Sequence, residues 1–279
     1  MNKSIAKISV VILCAGEGKR IKELAKDIPK PLLKIKALNN ITILQDTINK
    51  LLSLGINKIV IVKGHLGHKI DEFINKIVQN NLNLQNFIEI IDSGTQYKSG
   101  PLYSLLSITN NEHIYKKKFI YLVIPGDTIF QFNLFNFVFT SIIDNIRLIN
   151  ANPLIFFKEV NINTLKKKFK EKTHGLISIA EIEKIESVQF LTKIKQKKVL
   201  ELSNSVPASI IVPIFAFSGH IIKEFSELKE EVCMNTIRES INLLIDKGKT
   251  IHAIKIPKEY EFYDIDEKFD IAELNNDIR

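Results

Sequence analysis

The chain predicts an α/β protein in which a mainly parallel sheet is covered by helices. Two observations carry this. Continuous apolar runs alternate with stretches of helical periodicity through the first half, and 45% hydrophobic against 25% charged residues over 279 positions is the balance of a globular chain with a real core. Ile8 to Leu13 reads as a strand buried on both faces. Leu44, Ile48, Leu51 and Leu52 then recur at helical spacing, and Ile59 to Val62 is a second buried strand. Ile70, Phe73, Ile74, Ile77 and Val78 form an amphipathic stripe. Phe87 to Ile91 and Phe119 to Ile124 are further strands. Such alternation implies right-handed crossovers, which place the loops after the strands on one edge, where ligands bind.

The second half has another character. Between about Leu154 and Phe217, short apolar runs are separated by lysine-rich stretches, with strands expected at Leu176 to Ile179, Val188 to Leu191 and Ile210 to Phe217 in mixed or antiparallel pairing. A helix is expected around Ile237, Ile241, Leu244 and Ile245, with Gly248 as its C-terminal cap. A strand at Ile251 to Ile256 and a last helix from about Lys268 to Asn275 complete the pattern. Neither a repeat nor a proline- or serine-rich linker divides the chain, so one domain is expected, with residues 1–150 and 151–279 as its halves.

Composition narrows the function. The 39 basic and 31 acidic residues leave a net charge of +8, which admits an anionic partner without naming it. No recognisable nucleic-acid-binding motif accompanies that charge, and no apolar run approaches the ~18–20 residues of a membrane span. Lys166 to Lys168 with Lys170 read as solvated surface. Cys14 and Cys233 make no disulfide framework, which fits a reduced, cytoplasmic protein. The basic, apolar N-terminus imitates a secretory signal. However, Val11, Ile12 and Leu13 precede Cys14 where a cleavage site wants small residues, so a buried strand is the expected reading. Self-association is left open.

The chemistry-bearing segment follows the first strand: Leu13-Cys14-Ala15-Gly16-Glu17-Gly18-Lys19-Arg20. Glycines there let backbone N–H groups approach phosphate oxygens, and a helix starting there would add its positive end. The dinucleotide fingerprint fails, because Ile21 stands where a small residue belongs and no acidic residue follows near Lys36. The P-loop fails too, because Arg20 follows Gly18-Lys19.

Ala15, Gly16, Gly18, Arg20, Pro29, Lys30, Pro31 and Leu32 together resemble the signature of the sugar-phosphate nucleotidyltransferases. That resemblance implies a Rossmann-like three-layer α/β/α nucleotidyltransferase fold with a mainly parallel mixed sheet. It implies nucleotide contacts at Leu13, Ala15, Gly16 and Gly18, and Arg20 and Lys30 on the phosphates. Gln96 and Gly100, in QYKSGPLYS, would read the base; the Gly-Pro-Leu-Tyr-Ser ending is closer to the cytidylyltransferase branch that handles inositol phosphate or phosphocholine. Asp127, after Phe119-Ile-Tyr-Leu-Val-Ile-Pro-Gly, would hold Mg2+. A second ligand would come from Tyr263-Asp264-Ile265-Asp266, in which two registers of the family motif fit, one selecting Asp264 and the other Asp266, and one of the two is expected at the metal. His174-Gly175-Leu176 resembles the family's next strand, and Lys193 matches its acceptor-phosphate lysine, while Thr192, Ile194 and Ile211-Val212-Pro213 depart from the pattern. The implied reaction joins an NTP to a sugar 1-phosphate. CTP-dependent transfer to inositol phosphate or phosphocholine, and a non-catalytic nucleotide-sensing module, stay open as alternatives.

Overall fold

Residues 7–21, 27–170, 172, 175–203 and 207–277 are described by a computed structural model. The elements run β1 (Ile8–Cys14), α1 (Ile43–Ser53), β2 (Ile59–Lys63), α2 (Gly67–Asn80), β3 (Ile88–Asp92), α3 (Pro101–Leu106), β4 (Ile120–Pro125), β5 (Thr128–Phe130), α4 (Phe132–Asp144), α5 (Ile146–Ile149) and β6 (Leu154–Val160). They continue with α6 (Ile162–Phe169), β7 (Leu176–Ile185), β8 (Val188–Lys198), β9 (Ala208–Ser218), α7 (Gly219–Glu231), α8 (Ile237–Asp246), β10 (His252–Lys255), β11 (Phe262–Asp264) and α9 (Lys268–Asp277).

Nine strands form one sheet in the order β3-β2-β1-β4-β9-β6-β10-β8-β7. β3, β2, β1 and β4 are mutually parallel, as the alternation of the first half predicts. Beyond β4 the sheet is mixed rather than mainly parallel. β9 enters antiparallel between β4 and β6, β10 runs parallel to β6, and β7–β8 is a long antiparallel hairpin. β1 lies at the centre of the parallel half and is buried on both faces, which is why ISVVILC shows no alternation. Its even-numbered side chains Ile8, Val10 and Ile12 pack with α1, α2 and α4, while Val11 joins α3, α7 and α8 on the opposite face.

Several helix limits follow from the sequence locally. Thr42 caps α1 through the N–H of Gln45. Thr236 and Glu239 form a capping box on α8, and Gly248 (φ +82°) terminates it as expected, its N–H bonded to the Ile245 carbonyl. α4, α7 and the pair β5–β11 were not foreseen. β5 and β11 are only three residues each, below the length at which alternation can be read.

β4 ends against β1 at Gly126. A Cβ there would lie 2.6 Å from Cys14 Sγ and 3.0 Å from the Leu13 carbonyl oxygen. Gly126→Ala should therefore cost about 1–3 kcal/mol of overpacking, read as a lower urea midpoint. Gly16→Ala, with nothing within 4 Å of its added Cβ, should leave the midpoint unchanged.

Candidate active site

The loops after β1, β2, β3 and β4 gather on one edge, as parallel crossovers require. The glycine loop is tied to its neighbours by backbone bonds: the His65 N–H donates to the Ala15 carbonyl (3.1 Å) and the Gly126 N–H to that of Leu13 (2.9 Å). Gly18 is left-handed (φ +60°), and the missing side chain leaves room for the Lys30 methylenes, which a Cβ would meet at 3.1 Å. The Lys30-Pro31-Leu32 turn sits directly beneath, with Pro31 packed toward Gly126. Among the described residues, a 3-10 turn over Lys19–Ile21 follows the loop in place of the expected helix start.

Asp127 lies just past β4. The antiparallel pairing of β5 with β11 puts Thr128 opposite Asp264, and the Ile265 N–H bonds the Asp127 carbonyl (3.2 Å). Thus Asp127, Asp264 and Asp266 converge, each offering an oxygen within 4.8 Å of the others. One of the last two was expected at the metal, but both reach the cluster: two positions apart in an extended segment, they share a side, and Ile265 between them faces the other way. β11 ends at Asp264, Ile265 turns into a small core with Ile21, Leu33, Ile43, Ile129 and Leu274, and Asp266 is carried back toward the cluster.

Charge balance shapes the cluster. The Lys30 ammonium, 8% exposed, bonds Asp127 (3.2 Å) and Asp266 (2.9 Å), while the Arg20 guanidinium bonds Asp266 (2.7 Å). Burial opposes the charge on Lys30, but Asp127 and Asp266 outweigh it and hold the ammonium above its ordinary range. Burial likewise works against the Asp266 carboxylate, yet Lys30, Arg20 and Lys172 hold it below the usual range. Asp264 accepts from the Thr128 hydroxyl (3.1 Å) and is pushed up to about 8, by desolvation and by the charges of Asp127 and Asp266. Its side chain opens onto the cleft, so repulsion between carboxylates is the more durable cause.

Three carboxylates offering only oxygen form a donor set suited to a hard divalent ion. Asp264 and Asp266 open onto a cleft of about 1410 Å³. Its walls are α6, β7, β9 and the β10–β11 connection, with Lys158, Lys167, Lys168, Lys172 and Lys258 among the lining side chains. Lys167, exposed as expected for solvated surface, and Lys168, half-buried, both border the cleft, which a lysine run alone does not tell.

The other sequence-derived residues fall as follows. Leu13 and Ala15 belong to the edge just described, and Gly16 faces open space. Gln96 is exposed in a 3-10 turn beside this edge. Gly100 (φ +114°) is required by the Asn235 backbone, whose carbonyl oxygen a Cβ would meet at 2.3 Å. Lys193 stands apart: it is exposed on β8 opposite Glu181 and does not line the cleft, because its neighbour Ile194 takes the inward position. His174 lies outside the described residues. Sequence reasoning missed Thr128, Lys172 and Asp270. Asp270 had a readable signal, an acid three positions into a helix after Glu267.

Comparison with known proteins now adds its own findings. A family model described as Nucleotidyl transferase matches residues 9–164. The Bifunctional protein GlmU of Methanococcus aeolicus is 34% identical over 178 residues; the match takes in 61% of this chain and 38% of that protein's length. The fold is shared with a Bacillus anthracis protein assigned as a candidate glucose-1-phosphate thymidylyltransferase and solved with a sucrose (TM-score 0.68, 16% identity, 98% of this chain and 95% of that one). It is also shared with a UDP-glucose pyrophosphorylase complexed with UDP-glucose (TM-score 0.66, 15% identity, 96% and 97%).

The carboxylate crowding makes a stability prediction. A carboxyl whose folded value is raised favours the protonated native state, so its contribution is present below pH 4 and lost as pH rises toward 8. The metal-free protein should lose melting temperature over that window, and Asp264→Asn should flatten the loss. A melting series across pH in chelator checks both.

Proposed function

The chain belongs to the nucleotidyl transferase family, and on that premise we propose that it joins a nucleoside triphosphate to a sugar 1-phosphate, releasing pyrophosphate and a nucleotide-sugar. The observation that carries this reading is the convergence of Asp127, Asp264 and Asp266 with Lys30 and Arg20 beside a glycine loop. The sugar is supported by the two solved structures of the same fold, one a candidate glucose-1-phosphate thymidylyltransferase and the other a UDP-glucose pyrophosphorylase.

In this reading residues 1–150 hold the nucleotide and residues 151–279 the acceptor, within one domain. Backbone N–H groups around Ala15, Gly16 and Gly18 receive the phosphates, and Gln96 meets the base edge. An acceptor phosphate oxygen attacks the α-phosphorus, the bond to the bridging oxygen breaks, and pyrophosphate leaves with that electron pair. The attacking oxygen is already ionised at neutral pH, so no general base is needed. Lys30 and Arg20 offer fixed positive charge to the leaving pyrophosphate, the electrostatic contribution that phosphoryl-group transfer depends on most. Asp127, Asp264 and Asp266 are proposed to hold Mg2+, which when bound supplies charge neutralisation and alignment of the phosphates. On the acceptor side, Lys167 and Lys258 line the cleft and would draw in a phosphorylated ligand, largely a positioning effect.

A pyrophosphate-release screen tests the reading, with four NTPs and Mg2+ against sugar 1-phosphates, inositol phosphate and phosphocholine. Release with a sugar 1-phosphate is expected. Release only with inositol phosphate or phosphocholine would replace the acceptor class, and release with no pair would overturn the catalytic reading. Asp127→Ala should abolish release while circular dichroism stays unchanged. Lys30→Ala should lower kcat by about 100-fold, the scale of losing one preorganised charge at a transition state.

A further inference from the structure

An ion pair, Lys172 with Asp270, lies beside the cleft. Asp270, in the first turn of α9, is 4% exposed, and its partner Lys172, from the segment between α6 and β7, is 9% exposed. Both line the cleft. Asp270 Oδ1 receives the Lys172 ammonium, which also lies 4.4 Å from the centre of the Phe169 ring. Asp270 Oδ2 accepts from the backbone N–H of Asp266 (2.8 Å) and of Glu267 (2.7 Å). Every hydrogen bond of this carboxylate therefore goes either to the backbone that carries Asp266 or to a lysine from the acceptor-side wall.

A helix cap accounts for part of this geometry, since an acid three residues into a helix commonly bonds the N–H groups before it. It does not account for the lysine. A cap needs no cation brought from another part of the chain, and burying one has a desolvation cost that a single exposed capping carboxylate avoids. The Lys172 charge does two things here. It holds the Asp270 carboxylate in place through the ion pair, and it adds positive potential at Asp266, to which Lys30 and Arg20 are also bonded. Two N–H donors held at 2.7 and 2.8 Å set the direction in which Asp266 leaves the backbone.

We propose that Asp270 and Lys172 are positioning residues for Asp266, so that an ion pair reaching across to the acceptor-side wall sets the affinity of the three-carboxylate cluster for a divalent cation. The inference rests on the reading of that cluster as a metal site. Residues that orient a ligand from behind typically change metal affinity by about 10- to 100-fold when altered.

The test titrates the full chain with Mn2+ alone, reading free Mn2+ by electron paramagnetic resonance, for the wild type, Asp270→Asn and Lys172→Met. Asp270→Asn keeps an acceptor oxygen for the two N–H groups and removes the charge. Lys172→Met keeps an apolar stem against Phe169. Both should weaken Mn2+ binding about 10- to 100-fold. In turnover the apparent KM for the metal should rise by a similar factor, with kcat within about threefold at saturating metal. Circular dichroism well below the melting temperature confirms folding, and Asp270→Asn carries the test alone should Lys172→Met fail to fold. Lower melting temperatures with unchanged Mn2+ affinity would mean a capping role only and overturn the proposal while leaving the metal site standing. A wild type that binds no Mn2+ would overturn the metal reading and this proposal with it.

Discussion

Three carboxylates held within 4.8 Å of one another are the constraint around which this molecule is arranged. Like charges at that range repel. The fold answers by bringing cations from the far end of the chain. Lys30 reaches Asp266 across 236 residues of sequence and Asp127 across 97. Arg20 reaches Asp266 across 246.

The rest of the site is scaffolding for that balance. The β5–β11 ladder places Thr128 opposite Asp264, and Thr128, fully buried, gives that carboxylate a hydroxyl partner. The Ile265 side chain drops into a core with Ile21, Leu33, Ile43, Ile129 and Leu274, which joins the glycine loop, the first helix, the short ladder and the last helix. Apolar packing thus fixes the positions of charges that would otherwise separate. Gly18 and Gly126 serve the same end, the first leaving space for the Lys30 stem and the second letting β4 close on β1.

The parallel half was legible because its strands are buried on both faces. Continuous runs such as ISVVILC and IVIV have no other economical place in a protein. The second half was harder to read. The β7–β8 hairpin is exposed along much of its length, so its lysines and glutamates mask the strand period. Its extent, and the insertion of β9 between β4 and β6, made the sheet mixed. Lys193 illustrates the limit of matching by position: one residue of register on a strand decides between inward and outward, and here Ile194 points in.

The sequence alone determined the α/β class and the place of the glycine loop, because local spacing and burial pattern are written along the chain, while Arg20, Lys30 and Asp127 were singled out by resemblance to a family signature. Only the tertiary structure decided that Asp264 and Asp266 both approach Asp127, that Lys30 bridges two of the three, and that Asp270 and Lys172 stand behind them. Residues two apart in an extended segment share a face, so Asp264 and Asp266 approach together while Ile265 between them packs into the core. Charges distant in sequence meet through packing and strand pairing, and neither is visible until the chain is folded.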